Sequence, residues 1–347
     1  MSPVPYLLSY LLAALVVVGT IMGGGFNYIA FLFAFAIIPI LDLLIGTDSS
    51  NATPEKMAEL EQKQSFRLIA LGHVPIQVVL VLWAASVAGS NTLSGIAMLG
   101  FVLSVGTATG GIGITVAHEL FHKKNRIDAL GGKILLLTVN YMHFYIEHLI
   151  GHHVHVATPK DPVTARYGES FYRFYPRAVV GSFRSAWQIE TRRLARKGTP
   201  VWSPHNQMLW FVALPIVFAI ALGWAFGWRA TTFFFAQSIV AFTLLEIVNY
   251  IEHYGLLRKR KPSGNYERVA AAHSWNADHR MTNYFLFRLQ RHADHHIHPL
   301  RPYQVLRHFD ESPQLPTGYA GMIVLALFPP LWHRLMDERA ASLQMAP

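Results

Sequence analysis

The sequence has no cysteine and little charge. Without cysteine, the 347-residue chain can form no disulfide and can hold no iron–sulfur or rubredoxin-type centre of its own. Charged residues make up 14% of the chain and hydrophobic residues 52%, whereas soluble domains have roughly 25% charged residues. This balance excludes an ordinary soluble domain and is typical of an integral membrane protein.

Six apolar runs are close to the length that crosses a bilayer as a helix, roughly 17 to 25 residues. They occupy residues 6–22, 26–45, 66–88, 93–117, 208–226 and 230–251. No Lys or Arg precedes the first run and no clear cleavage site follows it, so we interpret it as a membrane helix rather than a secretory signal. A later apolar stretch, 318–332, is interrupted by two prolines, and we expect it to pack or lie at the interface. The sequence predicts one all-α integral membrane domain over residues 1–347, with six transmembrane helices.

Basic residues fall almost entirely on one side of this predicted bundle. The segments 46–65 (with Arg67 at the helix edge), 118–207 and 252–347 contain 28 of the 29 Lys and Arg residues, and Arg229 alone lies on the other side. Cytoplasmic loops attract Lys and Arg, so we place both termini and segments 118–207 and 252–347 in the cytoplasm. This bias accounts for the net charge of +9 without nucleic acid binding. The basic face also suits anionic lipid headgroups or an acidic protein.

Histidine is abundant, at 18 residues, and unevenly distributed. Twelve of the histidines fall in four short blocks, at 118–122, 143–155, 249–253 and 291–298. Neutral imidazole is the commonest protein ligand for metals. A zinc ion takes four ligands, or three and a water, so eight or nine converging imidazoles are too many for one such ion. The blocks therefore predict a two-metal site on the cytoplasmic side of the membrane.

The spacing inside the blocks suits shared ions. His118 and His122 are four residues apart at the end of the fourth apolar run, and such residues share one face of an α-helix. His148 and His152 repeat that spacing, which predicts that they face the same way. A helix turns about 100° per residue, so His153 is expected to point toward a second ion.

The last two blocks add four candidates. A lone histidine such as His253 is ordinarily structural, but Glu252 before it mirrors Glu147 before His148, and it lies at the same depth as His118. We therefore include His253 as a ligand. The fourth block offers three imidazoles at spacings of three and four: His292, His295 and His296.

Ligand histidines usually donate their second ring N–H to a carboxylate or carbonyl. Six acidic residues are candidates for that contact, although any one could instead form a surface ion pair: Glu119, Glu147, Glu252, Asp161, Asp278 and Asp294. Five histidines are left undecided, and polar packing or outer hydrogen bonding suits them better than ligation: His143, His155, His273, His279 and His298. His73, in the third apolar run, is expected to be buried and hydrogen-bonded. No catalytic residue beyond the metal ligands is predicted.

Two other functions fit parts of this pattern. HExxH, at 118–122, is also the metalloprotease signature, in which Glu119 would be the general base. Its position at the end of a membrane helix and the three further blocks argue against a protease. A metal transporter would place ligands near mid-membrane along a pathway, whereas all four blocks lie at or beyond one rim.

The blocks and their flanks resemble those of the membrane-bound, non-haem diiron alkane 1-monooxygenases. NYIEHYGL at 249–256 and LQRHADHH at 289–296 are the most specific segments, and the similarity extends over nearly the whole chain, including HSWN at 273–276 and LPTGY at 315–319. The resemblance implies six membrane helices and two non-haem iron ions. It implies nine histidine ligands: His118, His122, His148, His152, His153, His253, His292, His295 and His296.

The resemblance also implies an activity and its partners. It implies terminal hydroxylation of medium- to long-chain n-alkanes to 1-alkanols with O2, in a bacterial inner membrane. Two electrons would come from a separate rubredoxin, itself reduced by an NADH-dependent reductase. A desaturase or hydroxylase of fatty acyl lipids, or an aryl-methyl monooxygenase, would use the same diiron chemistry. We expect an apolar tunnel lined by transmembrane helices two, three, four and six, with Ala30 and Ala34 leaving room for longer chains.

Overall fold

The computed structural model describes residues 1–93 and 95–344, which are helical apart from turns, loops and isolated β-bridges. In chain order the helices are α1 (Val4–Met22), α2 (Gly24–Ile45), α3 (Pro54–Gln62), α4 (Gln64–Gly89), α5 (Gly95–Phe121), α6 (Arg126–Leu137), α7 (144–155), α8 (Phe171–Arg196), α9 (Gln207–Phe226), α10 (Trp228–His253), α11 (Arg280–Phe285), α12 (His292–Ile297), α13 (Tyr319–Ala326) and α14 (Pro329–Gln344).

The prediction of an all-α protein with six membrane helices is confirmed for this part of the chain. Helices α1, α2, α4, α5, α9 and α10 are long and apolar enough to cross a membrane. Helix α5 continues past the predicted end at residue 117 to Phe121, so His118 lies on its last turns. The apolar stretch near the C-terminus forms α13, whose buried face includes Tyr319 and Met322, and α14 begins at Pro329.

Helix α5 packs closely against its neighbours at glycines. A Cβ atom on Gly110 would lie 2.5 Å from the Ala241 Cα of α10, and one on Gly113 would lie 1.8 Å from Gln77 Oε1 of α4. Glycine therefore permits the close helix contacts that membrane bundles use in place of a strong hydrophobic effect. Gly111, between these two positions, has no atom within 4 Å of such a Cβ.

A buried polar layer connects the same helices. Gln77 of α4 donates to Thr138 Oγ1 (2.8 Å), and Gln237 of α10 donates to the Thr138 carbonyl (2.9 Å). Thr109 of α5 donates to Gln237 Oε1 at 2.8 Å. Polar groups in a bilayer must find partners within the protein, so this layer holds α4, α5 and α10 in register. His73, also on α4, is buried and bonds Ser9 Oγ at 2.8 Å, as predicted.

The C-terminal tail folds back across the end of the bundle. Asp42, near the end of α2, accepts hydrogen bonds from Thr282 N (3.0 Å) and Thr282 Oγ1 (2.5 Å), which attaches the start of α11. The buried Arg291 guanidinium donates to the carbonyls of Asp48 (2.6 Å) and Leu306 (2.8 Å). These contacts fix α12, which follows Arg291 directly, beneath the ends of α5 and α10.

The packing of α5 against α10 gives a paired prediction. Gly110→Ala places a methyl group against the backbone of α10, and such overpacking typically costs about 1–3 kcal/mol. We therefore expect a lower midpoint of thermal unfolding in detergent for this variant. Gly111→Ala meets open space and should leave the midpoint unchanged or slightly higher, because alanine reduces the freedom of the unfolded chain. Equal midpoints for the two variants would contradict the close contact.

Candidate metal centre

The nine histidines predicted as ligands meet at the end of the bundle, in two groups. Within each group one ring nitrogen per residue lies within 4.8 Å of all the others. The five-histidine group comprises His118, His122, His148, His153 and His295, and the four-histidine group comprises His152, His253, His292 and His296. All nine are buried except His153, which is half-buried. Helices α5, α7, α10 and α12 supply them, so the site depends on all four elements.

Helix α7 divides its histidines differently from the spacing argument. His148 shares the five-histidine group with His153, whereas His152 belongs to the other group. The prediction that His148 and His152 face the same way is therefore wrong. The reason is local: residues Glu147–His152 form a π-helical turn, in which hydrogen bonds join residues five apart. The wider turn brings residues 148 and 153, rather than 148 and 152, to the same side.

Ordinary α-helical spacing governs the other helices. His118 and His122, four apart, share the five-histidine group as predicted. On α12, His292 and His296 are also four apart and share the four-histidine group, whereas His295 points into the five-histidine group. Helices α7 and α12 thus each supply both groups, and the two groups are held next to each other.

The ring nitrogens in each group face one another. His118 Nε2 lies 2.9 Å from His295 Nε2, and His153 Nε2 lies 3.1 Å from His295 Nε2. In the four-histidine group, His296 Nε2 lies 2.8 Å from His292 Nε2. His122 Nε2 is buried without a hydrogen-bond partner. A neutral imidazole carries one N–H and one lone pair, so convergence on Nε2 suits two cations, and an all-imidazole donor set suits iron among the metals that proteins bind.

Burial keeps these rings in the form that binds metal. Burial, together with the neighbouring imidazoles, lowers the pKa of six of the rings well below the ordinary value of 6.5. These rings are His122, His148, His153, His292, His295 and His296. A neutral ring offers a lone pair, which an imidazolium does not. The group is therefore ready to accept cations at neutral pH without first losing protons.

Two of the predicted acidic partners contact the histidines. Asp161 Oδ2 lies 2.9 Å from His152 Nδ1, the ring nitrogen on the side away from the group, and accepts a hydrogen bond from Thr164 Oγ1 at 2.6 Å. Burial raises the pKa of Asp161, but His152 and Thr164 outweigh it and hold this pKa below its usual value. Glu252 Oε2 lies 3.2 Å from His292 Nε2, on the side that faces the group.

The other acidic candidates have different contacts. Glu119 pairs with Lys123 (2.5 Å), Asp278 with Arg291 (3.2 Å) and Asp294 with Arg301. These three form ion pairs, but Asp278 and Asp294 are buried, so their pairs are not the surface pairs that the sequence left open. Basic residues on the same segments compete for these carboxylates. Glu147 is buried, and its Oε1 has no hydrogen-bond partner. Burial, together with the nearby Asp161 and Glu246, raises the pKa of Glu147 well above its ordinary value.

The undecided histidines lie outside both groups. His273 pairs with Glu267 at 3.2 Å, and its carbonyl lies 3.4 Å from His253 Nδ1, which orients that ring. His298 is 48% exposed, and His155 and His279 are half-buried. His143 is buried with its Nε2 lacking a partner. Of these five, His273 therefore contacts a histidine of the two groups, through its backbone carbonyl.

An apolar cavity ends at the rings of His118, His148 and His292. Helices α2, α5 and α10 line most of it, as expected, and Ala34 is among the lining residues. The expected third transmembrane helix, α4, and Ala30 do not line it. Instead α11 and α13 close the remaining side, with Thr282, Phe285, Ala320 and Ile323 among the contributions.

Asn249 and Glu252 bring polar groups to the metal end of this cavity. Sequence reasoning assigned no role to Asn249, although it stands inside the segment NYIEHYGL. A polar residue one helical turn before Glu252 on an otherwise apolar helix was the available signal. The role of α13 left no such signal, because its position depends on how the tail packs.

The chain is similar to known proteins over most of its length. A family model described as fatty acid desaturase matches residues 94–326. The chain is 48% identical to alkane 1-monooxygenase 2 of Pseudomonas aeruginosa over 312 residues, and the matched region covers 89% of this chain and 82% of the relative. It is 47% identical to alkane 1-monooxygenase 1 of the same species, over 89% of this chain and 81% of the relative. It is 43% identical, with the same coverage, to alkane 1-monooxygenase 2 of Alcanivorax borkumensis. The chain belongs to the alkane 1-monooxygenase family.

Proposed function

We propose that the chain, as one membrane domain over residues 1–347, hydroxylates the terminal carbon of medium- to long-chain n-alkanes. The overall reaction takes an alkane, O2, two electrons and two protons to a 1-alkanol and water. One observation carries the proposal: an apolar cavity ends directly on converging imidazoles. Family membership supports the same activity, because the relatives above are named alkane 1-monooxygenases.

Two non-haem iron ions are the proposed cofactor. The five-histidine group would hold one ion and the four-histidine group the other, and Asp161 would orient the His152 ring by accepting its N–H. Bound iron supplies the activation of O2, which no side chain of this protein can provide. The neutral state of the rings and the buried position of the groups both suit that cofactor.

The cavity explains how the chain would handle a hydrocarbon. Phe35 of α2 and Leu245 and Val248 of α10 line it and are half-buried, which marks an opening between the two helices toward lipid. An alkane dissolved in the bilayer would enter there and reach the rings with its terminal carbon first. Apolar walls exclude the water that would otherwise compete at the metal end.

A desaturase or hydroxylase of fatty acyl lipids is the first alternative. Such a substrate carries a polar head, which needs polar partners where the chain enters. The half-buried residues at the opening are apolar. The lining also contains the hydroxyl residues Thr107, Thr115 and Thr282, and its amide and carboxyl groups, Asn249 and Glu252, stand at the metal end. This distribution favours a substrate without a head group. An aryl-methyl monooxygenase, the second alternative, is separated by its products in the assay below.

The electron donor and the membrane are also proposals. The chain has no cysteine for a rubredoxin-type centre, so we propose a separate rubredoxin, reduced by an NADH-dependent reductase. We place the protein in a bacterial inner membrane, with both termini and the histidines on the cytoplasmic side. The bias of 28 of 29 basic residues to one side supports this orientation, and a soluble electron donor would reach the histidines from there.

Removal of one ligand tests the metal assignment. His253→Ala leaves the four-histidine group with three imidazoles, so we expect the iron content of the purified protein to fall by about half and alkane hydroxylation to be lost. His298→Ala is the matched control, because this exposed ring on the tail lies outside both groups. Iron content is measured by elemental analysis of protein with an unchanged gel-filtration profile. Full iron content and full activity in His253→Ala would remove it from the ligand set.

The substrate assignment is tested with a series of n-alkanes. Purified protein supplied with rubredoxin, its reductase and NADH should convert n-alkanes to 1-alkanols, identified by gas chromatography. Ala34→Trp fills the cavity beside α2, so we expect the preferred chain length to become shorter. Ala36→Trp is the control on the same helix, because Ala36 is exposed and does not line the cavity.

Three outcomes of this assay would count against the proposal. An alkene in an acyl lipid would indicate a desaturase, and turnover of aryl-methyl compounds without turnover of n-alkanes would indicate the aryl-methyl enzyme. An unchanged chain-length preference in Ala34→Trp would show that the substrate does not occupy this cavity.

The absence of cysteine makes the orientation easy to test. A single cysteine introduced at Glu61 or at Asn91, both exposed, would be the chain's one thiol. In intact cells, a membrane-impermeant thiol reagent that enters the periplasm should label Asn91→Cys and should label Glu61→Cys only after lysis. The opposite pattern would place the histidines outside the cytoplasm.

A further inference from the structure

Helix α10 carries a buried acid that the metal groups do not use. Glu246 is fully buried and lies seven residues before His253. Among the described residues no Lys or Arg forms an ion pair with it, and the ionisable groups that influence it besides Tyr141 are Asp161 and His152. An acid within a membrane helix is costly and is by default a candidate for function. A carboxyl group buried there without a cationic partner can take up and release a proton.

Both oxygens of Glu246 are held by hydrogen bonds. The Tyr141 hydroxyl donates to Oε1 at 2.7 Å, and Asn249 Nδ2 donates to Oε2 at 3.2 Å. These contacts make a short polar chain, Tyr141–Glu246–Asn249, in otherwise apolar surroundings. Tyr141 precedes α7, so the chain runs from one side of α10 to the other.

The two ends of this chain reach different spaces. At the inner end, Asn249 lines the apolar cavity beside Glu252 and His292. At the outer end, Tyr141 lines a separate groove between α8, α9 and α10. Eight of the twelve lining residues of this groove are apolar, and the polar ones besides Tyr141 are Asn140, His143 and the exposed Arg184. The His143 ring lies 4.3 Å from the Tyr141 ring, and its Nε2 is buried without a partner. Polar and titratable groups therefore lead from the outer groove to the metal end of the cavity.

Alkane hydroxylation needs such a route. For each alkane oxidised, O2 takes up four electrons: two come from the electron donor and two from the C–H bond. Two protons from solvent complete the water formed. The walls of the substrate cavity are mainly apolar, so they offer no path for protons. The outer groove and the polar chain provide a separate entry.

We propose that Tyr141 and Glu246 pass protons from the outer groove to the metal end of the cavity, with Asn249 as the positioning residue that holds the Glu246 carboxyl. The role of this route in turnover rests on the proposed monooxygenase function. The exchange of protons at Glu246 does not depend on that function. A proton from water in the outer groove binds the Tyr141 hydroxyl oxygen as that group's own proton passes to Glu246 Oε1. The proton released from Glu246 goes to the oxygen atom that becomes water at the metal end of the cavity. The number of O–H bonds is unchanged by each transfer.

The buried Gln237 on the same helix shows what a purely structural polar residue does there. Its side chain bonds Thr109 of α5 and the Thr138 carbonyl, so it connects α10 to two other elements. Glu246 is different, because its carboxyl group can carry a proton, which the amide of Gln237 cannot. A structural role alone would be met equally well by glutamine.

Infrared spectroscopy tests the exchange directly, on purified protein in lipid. We expect a carboxylic acid band in the wild-type protein that is lost in Glu246→Gln and shifts when H2O is replaced by D2O. In Tyr141→Phe the shift should be slower by at least about tenfold. Tyr175→Phe is the control. The Tyr175 hydroxyl bonds Thr243, on the same helix as Glu246, at 2.8 Å and does not bond Glu246 itself. It should exchange like the wild-type protein.

Turnover with n-alkanes supplies the second readout. Glu246→Gln and Tyr141→Phe should each lower kcat by at least about tenfold with KM unchanged. The double variant should be no slower than the slower single variant, because both residues act on one route. Iron content and thermal unfolding should match the wild-type protein. If Glu246→Gln does not fold, Tyr141→Phe alone tests both readouts.

The two proposals fail in different ways. Wild-type protein that forms no alkanol, but whose Glu246 band exchanges through Tyr141, would contradict the proposed function and leave the proton route standing. A missing Glu246 band, or equally fast exchange in Tyr141→Phe, would overturn the route. Full kcat in Glu246→Gln would overturn it as well.

Discussion

The convergence of imidazole nitrogens is the constraint on which the rest of this structure depends. Nine rings from four helices present their nitrogens to one another at separations of 2.8 to 3.2 Å where rings pair. Lone pairs at such distances repel unless a proton or a cation lies between them, and burial disfavours the second proton that would turn a ring into an imidazolium. The fold therefore has to hold these rings together against their own electrostatics until cations offset the repulsion. Each of the surrounding features serves that requirement.

The membrane bundle supplies the rigidity. Close glycine contacts between α5 and α10, and the polar layer around Gln77 and Gln237, fix the helices whose ends carry His118 and His253. The tail supplies three of the nine rings, and it is attached through Asp42 at the end of α2 and through the buried Arg291. A site built on helix ends and a fastened tail leaves the membrane interior free for a hydrocarbon cavity.

Much of this could be predicted from the sequence, for physical reasons. Crossing a bilayer demands long apolar helices, so hydropathy alone predicted the six spans, and the 3.6-residue period predicted the pairing of His118 with His122. The same period gave a wrong result at His148 and His152, because nothing in the spacing signals a π-helical turn. The cavity wall formed by α13 and the contacts of Asp278 and Asp294 depend on how the tail folds back, and such long-range packing leaves no local pattern. His273, whose carbonyl faces His253, was undecided for the same reason.

The central claim is that two separate cations occupy the two histidine groups. The most direct test is to measure anomalous scattering at the iron absorption edge on crystals of iron-loaded protein. The account predicts two peaks, one surrounded by the His118, His122, His148, His153 and His295 rings and the other by the His152, His253, His292 and His296 rings. A single peak, or two peaks that lie away from these rings, would contradict it.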